Sequence, residues 1–452
     1  MTDPMSSKIT SNAAADSADS AEPARTASLA GAPMTRGKRF RRMVLEFTPA
    51  YLVSMVMLPL IIAGGKFWPY KPSTMDLQVY FYAVRAMLHG ANIMEWSSPD
   101  FHLWFIYPPA AAIIMLPLAV GPFLFWELVW IAGIVIAQNV VMIRSGVPRG
   151  LPLALVSAAL VIGMEPIRTT VGYAQINTFL MALVFIDLLP ATPGRKRIIP
   201  PGMLIGLAAA IKLTPALFVL MLLILGKKRP AITAMITFAV LTIVGTVVQP
   251  SATISYLKSL AGGDTHTSGP LYVGNQSLLG VVLRLFGENQ TNTYLGLAIA
   301  VLVAVLAAIV GAYWWKKGAH VLAIALVGLG TNLASPLSWT HHFVWILPLG
   351  IAVVYQIRRR PWPGARADHI PLPRWMTYSC AAVVLYVSAC LPLALLPYAS
   401  GAEKNYTALQ ELVANLGPLM ITAILVASAV RMIRESRHPA RPVEAAAPVA
   451  GS

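Results

Sequence analysis

The run MLIGLAAAIKLTPALFVLMLLIL, Met203 to Leu225, carries a single charged side chain, Lys212. About 20 apolar residues rising 1.5 Å each are enough to cross a bilayer, so the run reads as a membrane segment. A lysine at mid-membrane costs on the order of 3 kcal/mol. It either snorkels to an interface or faces a polar cavity that holds an anion, and the size of the cost favours the cavity. Pro215 follows three residues later and loosens the helix there. Two backbone paths are open: a straight span, or a hairpin that enters and leaves on one side and breaks at Lys212 to Pro215.

The rest of the chain places this run in an all-α polytopic membrane protein. Of 452 residues, 57% are hydrophobic and only 12% charged, about half the charge of a soluble domain; the mean hydropathy is +0.67. The charge lies in short clusters between apolar runs, and those runs give about twelve transmembrane helices. A net charge of +16 would suggest a nucleic-acid partner in a soluble protein. Here the basic clusters flank spans, as the positive-inside rule and anionic lipid headgroups require, so no nucleic-acid partner is expected. Cys380 and Cys390 share one apolar segment, about 15 Å apart on a helix, and read as packing residues. Residues 1–35 and 435–452 are polar and proline-punctuated, and are expected to be disordered cytoplasmic tails around a membrane domain at 36–434. Residues 1–35 contain no apolar core of a signal peptide, so the first span is expected to act as an uncleaved anchor.

Charge sets the topology. Lys38, Arg39, Arg41 and Arg42 precede the span Val44 to Gly64, which puts the N-terminus in the cytoplasm and residues 65 to 103 outside. Lys227 to Arg229, Lys316 and Lys317, Arg358 to Arg360, and Arg431 to Arg437 then mark successive inner ends, so both termini are cytoplasmic. His341 and His342, in SPLSWTHHFVWILPLG (Ser335 to Gly350), face outward at a membrane entry. Apolar runs at Ile106–Leu118, Phe123–Ile143, Leu151–Met164, Ile176–Leu189 and Met203–Leu225 complete the count. If the last is a straight span, Arg195 to Arg197 fall outside, against the rule; the hairpin is the alternative.

Only 18 residues are acidic. The outward candidates are Asp76, Glu95, Asp100, Asp264, Glu288, Glu403 and Glu411, while Glu127 reads as a snorkelling residue near a span end. Asp76 opens TMDLQVYFYAVRAMLHG, whose apolar residues recur at i, i+3 and i+4, so an amphipathic helix on the outer leaflet is expected. There Asp76 is either a helix cap, alongside Thr74, or a general base. Trp104 and Tyr107 suit an interfacial belt, and Tyr107-Pro108-Pro109 opens a membrane segment. Tyr173, Gln175 and Asn177, together with Asn275, Gln276, Ser338 and Trp339, offer the neutral hydrogen bonds that sugar hydroxyls need. Lys212, Arg284 and the two histidines offer donors and positive charge for a phosphate. An outward set with one base, cations and amides fits glycosyl transfer from a lipid-phosphate donor.

The ordered series Asp76, YPP at 107–109, GYAQIN at 172–177, GLAAAIKLTP at 206–215, GNQSLLG at 274–280 and SPLSWTHH at 335–342 resembles glycosyltransferase family 87. The likeness runs from about Thr48 to Arg434. These are actinobacterial polyprenyl-phosphate-mannose-dependent α-mannosyltransferases with the GT-C fold, above all the α-1,2-mannosyltransferases of phosphatidylinositol mannoside and lipomannan synthesis. The resemblance implies an inverting reaction with Asp76 as base, and with His341, His342, Lys212 and Arg284 at the donor phosphate. It implies a plasma-membrane enzyme with its active site on the extracytoplasmic face, a polyprenyl-phosphate-mannose donor, a glycolipid acceptor and surrounding membrane lipids. No cofactor or metal is expected, because Met75-Asp76-Leu77 lacks the acid pair that would hold a divalent ion. The alternatives are another lipid-donor glycosyltransferase, such as an arabinofuranosyltransferase, and a lipid-linked sugar transporter or flippase. Transporters often show paired repeats, and Asp76, YPP and WTHH have no counterparts in the other half.

Overall fold

The computed structural model describes residues 37, 40, 41, 73–190, 197–262, 269–358, 372–398 and 400–437. The expected tails, the span at Val44 to Gly64, Asp264, and most of the basic residues at 38–42, 195–197 and 358–360 lie outside these. The described residues are helical, with one isolated β-bridge, Ser97 to Trp104. In chain order the helices are α1 (Met75–Leu88), α2 (Pro109–Ile114), α3 (Phe123–Arg144), α4 (Leu151–Gly163), α5 (Glu165–Tyr173) and α6 (Asn177–Leu188). Next come α7 (Met203–Ile211), α8 (Leu217–Ile224), α9 (Lys228–Val248), α10 (Pro250–Gly262), α11 (Leu278–Phe286) and α12 (Gln290–Lys316). The last are α13 (His320–Ala334), α14 (Ile346–Arg358), α15 (Arg374–Ser388), α16 (Leu391–Leu395) and α17 (Ala408–Arg437).

Five helical segments among the described residues are long and apolar enough to cross a membrane: α3, α9, α12, Thr340–Arg358 and α17. The pair α4 and α5 reaches the same length but bends by 86°. The protein is therefore an integral membrane protein, but its apolar runs are not all rods. Ile106 to Leu118, counted above as a span, holds only the short α2 and a 3₁₀ turn at Leu116–Ala119. Pro108, Pro109 and Pro117 interrupt it. Also, α17 runs to Arg437, so Glu435 belongs to a packed helix and not to the tail expected from 435 onward.

Met203 to Leu225 takes the hairpin path. Lys212 is extended, at φ −148° and ψ 128°, and ends α7. A 3₁₀ turn at Thr214–Ala216 then starts α8. Two contacts fix the direction. A Cβ placed at Gly202 would lie 1.9 Å from the Pro230 carbonyl oxygen, and one at Gly206 would lie 2.4 Å from that of Ala234. The first arm thus climbs beside α9 from that helix's own start, while α8 ends next to the same start through Gly226 and Lys227. Glycines four residues apart let the two backbones touch, as in close-packed membrane helix pairs. Gly202, at φ 95°, also takes a left-handed turn that a side chain would strain.

The hairpin bears on Arg197, the described member of the basic cluster. Asp187 accepts from the backbone N–H of Gly202 (2.8 Å) and Ile205 (3.0 Å) and lies 3.5 Å from Arg197. Arg197 therefore shares the end of the bundle where Lys227 covers the Trp315 ring at 4.4 Å and Lys317 pairs with Glu435 at 2.8 Å. Positive charge gathers at one end, and Asp76, His341 and His342 lie toward the other.

Candidate active site

α1 carries Asp76, and its start is held by the GYAQIN segment. The Gly172 carbonyl accepts from the N–H groups of Ser73 (3.1 Å) and Thr74 (2.9 Å). Thr74 sits at φ 46°, a costly left-handed conformation for a β-branched residue. Its hydroxyl donates to Glu127 at 2.8 Å, so Glu127 is an internal anchor and not the snorkelling residue expected. The capping alternative for Asp76 fails, because no side chain caps α1. Instead the Asp76 carboxylate accepts from Gln175 Nε2 at 3.0 Å. Gln175 has no freedom to flip: its Oε1 accepts from Tyr80 (2.7 Å), Tyr107 (3.0 Å) and the N–H of Ile176 (2.8 Å). Two tyrosine hydroxyls on one side of the amide turn its NH₂ toward the acid.

Burial pushes the Asp76 carboxyl up to about 7, and the nearby Lys212 charge and the Gln175 hydrogen bond pull it back only in part. A base poised near neutrality suits proton abstraction. If Asp76 is the base, the carboxylate is the form that acts, so kcat/KM is expected to fall about tenfold per pH unit below 7, and an acid limb centred near 4 would exclude that role.

The second part is the turn Ser338 to Trp345. Thr170 Oγ1 and Asn177 Nδ2 donate to the His341 carbonyl at 3.0 and 3.4 Å, and Asn332 Nδ2 donates to that of His342 at 3.0 Å. Thr340 donates to the buried Glu165 at 2.9 Å. The histidines are not an exposed interfacial pair: each is 8% exposed. Their rings pack edge to face, 4.6 Å apart, but they face different things. His341 packs on Tyr173 at 5.3 Å. His342 Nδ1 accepts from the Trp339 N–H at 3.3 Å, which places the proton of the neutral ring on Nε2 as a donor.

Lys212 ends α7 beside this turn. Its Nζ donates to Asn177 Oδ1 at 3.0 Å and lies 5.7 Å from the centre of the Tyr107 ring. Both contacts are neutral, and the Asp76 carboxylate is near enough to feel the charge but accepts from Gln175 instead, so the ammonium keeps donors for an anion. It lies, with His342, on a cavity of about 510 Å³ whose other walls are largely apolar: Ile106, Leu213, Leu217, Leu220, Leu260 and Leu297. Ile106, Leu213 and Leu260 are also exposed on the outside of the bundle. The arrangement is an apolar trough with a cation and an N–H donor at its head, and a carboxylate beyond the Tyr107 ring.

Of the residues singled out from sequence, the structure brings together Asp76, Tyr107, Tyr173, Gln175, Asn177, Lys212, His341 and His342, with Ser338 and Trp339 on the same turn. Three others are spent elsewhere. Arg284 donates through Nε to Asn415 (2.9 Å) and through Nη1 to the Asn275 carbonyl (2.9 Å). Asn275 bonds the carbonyls of Pro270 and Pro336 and the N–H of Ser338. Gln276 donates to the carbonyls of Val273 and Ala414. Instead of meeting ligand, they clamp two loops behind the histidine turn. Tyr80, Glu165, Thr170 and Asn332 escaped the sequence reading. Tyr80 was hidden in an apolar stripe, and a tyrosine there is a signal, since a buried hydroxyl needs a partner. Among the described residues no three His, Cys, Asp or Glu side chains converge as a metal site.

A family model described as glycosyltransferase family 87 matches residues 105–336. A polyprenol-phosphate-mannose-dependent alpha-(1-2)-phosphatidylinositol pentamannoside mannosyltransferase of Mycobacterium tuberculosis (strain CDC 1551 / Oshkosh) is 30% identical over 334 residues, covering 69% of this chain and 74% of the relative. The Mycolicibacterium smegmatis protein of the same description is 35% identical over 298 residues, 62% of this chain and 69% of its own. A phosphatidylinositol mannoside mannosyltransferase of Mycobacterium tuberculosis (strain ATCC 25618 / H37Rv) is 29% identical over 342 residues, 70% of this chain and 78% of its own. No solved structure matches the chain. The model's match over half the chain, and a relative sharing 30% identity over 69% of it, agree with the ordered motifs: the chain belongs to glycosyltransferase family 87.

Proposed function

We propose that the protein transfers mannose from polyprenyl-phosphate-mannose to a mannosylated phosphatidylinositol lipid, forming an α-1,2-mannoside with inversion at the anomeric carbon. The observation that carries this is the apolar trough with Lys212 and His342 at its head. A polyprenyl tail lies in the trough, and its phosphate meets the ammonium and the His342 Nε2–H. The acceptor hydroxyl attacks the anomeric carbon from the face opposite the phosphate. Its proton passes to Asp76, the bond from carbon to phosphate oxygen breaks, and Lys212 and His342 stabilise the charge left on the phosphate. His341 orients the acceptor side through Tyr173. The basic end of the bundle is cytoplasmic by the positive-inside rule, which puts the site on the extracytoplasmic face of the plasma membrane.

The test is transfer by the purified protein in lipid nanodiscs, given labelled polyprenyl-phosphate-mannose and phosphatidylinositol mannosides. Label is expected in the acceptor at an undiminished rate in EDTA. Transfer from GDP-mannose alone, or loss on chelation restored by Mg²⁺ or Mn²⁺, would overturn the reading.

A further inference from the structure

Beside the site runs a row of aromatic rings that the transfer chemistry does not use. Tyr398 lies 6.0 Å from Tyr272 between ring centres, and Tyr272 lies 5.5 Å from Trp339. Trp339 shares its turn with His341, whose ring packs on Tyr173. The row leads inward from Tyr398, which is 49% exposed, through the half-buried Tyr272 and Trp339 to the half-buried Tyr173. Tyr272 is folded back over Gly274, where a Cβ would lie 2.4 Å from its ring. The sequence thus gives up a side chain to hold that ring in place.

The polar tips of this row are open. The hydroxyls of Tyr173, Tyr272 and Tyr398 and the indole N–H of Trp339 make no hydrogen bond to any described residue. Five tyrosines of the framework behave otherwise. Tyr80, Tyr107, Tyr355, Tyr386 and Tyr406 all bond protein partners. A buried phenol or indole normally finds a protein partner, but none of these four tips is buried without one, so they stay open to the hydroxyls of a ligand. The complementary chemistry is a chain of pyranose rings, each with an apolar C–H face to lie on an aromatic ring and hydroxyls at its rim to meet OH and N–H groups. A lipid tail would leave every tip unsatisfied.

We propose that Tyr398, Tyr272 and Trp339 form a carbohydrate subsite that binds the sugars of the acceptor headgroup and delivers its terminal ring to Tyr173 and Asp76. This rests on the transfer reaction proposed above. It also predicts that the enzyme measures headgroup length, since sugars beyond the terminal one gain contacts only along the row.

The test compares full-length wild type with Tyr398→Ala, Tyr272→Ala and Tyr272→Phe in nanodiscs, using acceptors with short and long α-mannoside headgroups. Loss of a ring is expected to raise KM for the long acceptor about tenfold, as befits an aromatic contact, and to leave the KM of the donor unchanged. Tyr272→Phe, which keeps the ring, should fall between. Unchanged acceptor KM in both alanine variants, or a raised donor KM, overturns the subsite. A second arm reads binding alone, by saturation-transfer NMR with soluble α-mannobiose. Signal in wild type that is lost in both alanine variants supports the subsite even if no transfer is seen, in which case the transfer reading is what fails. No signal in wild type overturns the subsite.

Discussion

Asp76→Asn is expected to cut transfer by about 10²- to 10⁴-fold while leaving expression, insertion and donor affinity unchanged. The substitution keeps the shape but removes the capacity to accept a proton. It should not disturb α1, because Asp76 does not cap that helix and Thr74 is anchored independently through Glu127 and the Gly172 carbonyl. The new amide would meet Gln175 Nε2, so one N–H pair must turn away, at a cost of about 1 kcal/mol. That is small beside the catalytic loss. The checking measurement is single-turnover transfer with saturating donor, together with the melting temperature. A variant that keeps more than about a tenth of the wild-type rate would move the base elsewhere. Glu95 is the next outward acid, already bonded to Asn92 at 2.7 Å.

Lys212→Met is expected to lower kcat/KM by about 10²-fold or more, from the loss of one charge-assisted contact to a phosphate that gains charge in the transition state. Stability should move the other way. The methionine removes a buried cation whose contacts, Asn177 and the Tyr107 ring, are neutral, and Asp76, already raised to about 7 by burial, can take up a proton when the nearby charge goes, so the variant should melt no lower than wild type. A rise in stability with a fall in rate is the signature of a charge kept for a ligand, and a fall in both would make Lys212 a structural residue. His342→Ala should follow Lys212→Met in raising the donor KM, because His342 shares the trough. His341→Ala should act chiefly on the acceptor, because its ring meets Tyr173.

The sequence was readable where a residue type carries a large energy wherever it is placed. A lysine amid apolar residues has few permitted environments, so Lys212 pointed to a cavity, and two histidines at a membrane entry pointed to polar work. Reading failed where the same residue type serves two ends. Asn275, Gln276 and Arg284 look like ligand contacts on paper, but a loop crossing between helices must satisfy its own carbonyls, and these three do that. Length alone left two paths open. Met203–Leu225 has the composition of a span, and only the contacts of Gly202 and Gly206 with α9 show that it turns back.

That turn bears on how the protein is made. With nine residues in α7 and eight in α8, each arm is about 13 Å long, less than half the hydrocarbon thickness. Neither arm can be handed to the bilayer as an independent unit during synthesis. The pair must wait until α9, which follows it in the chain, offers a surface to climb. On that path Lys212 would meet Asn177, its partner in the folded protein, only as tertiary structure closes around it. The expected order of assembly therefore runs from the later helix back to the earlier one, with Lys212 among the last residues to find its place.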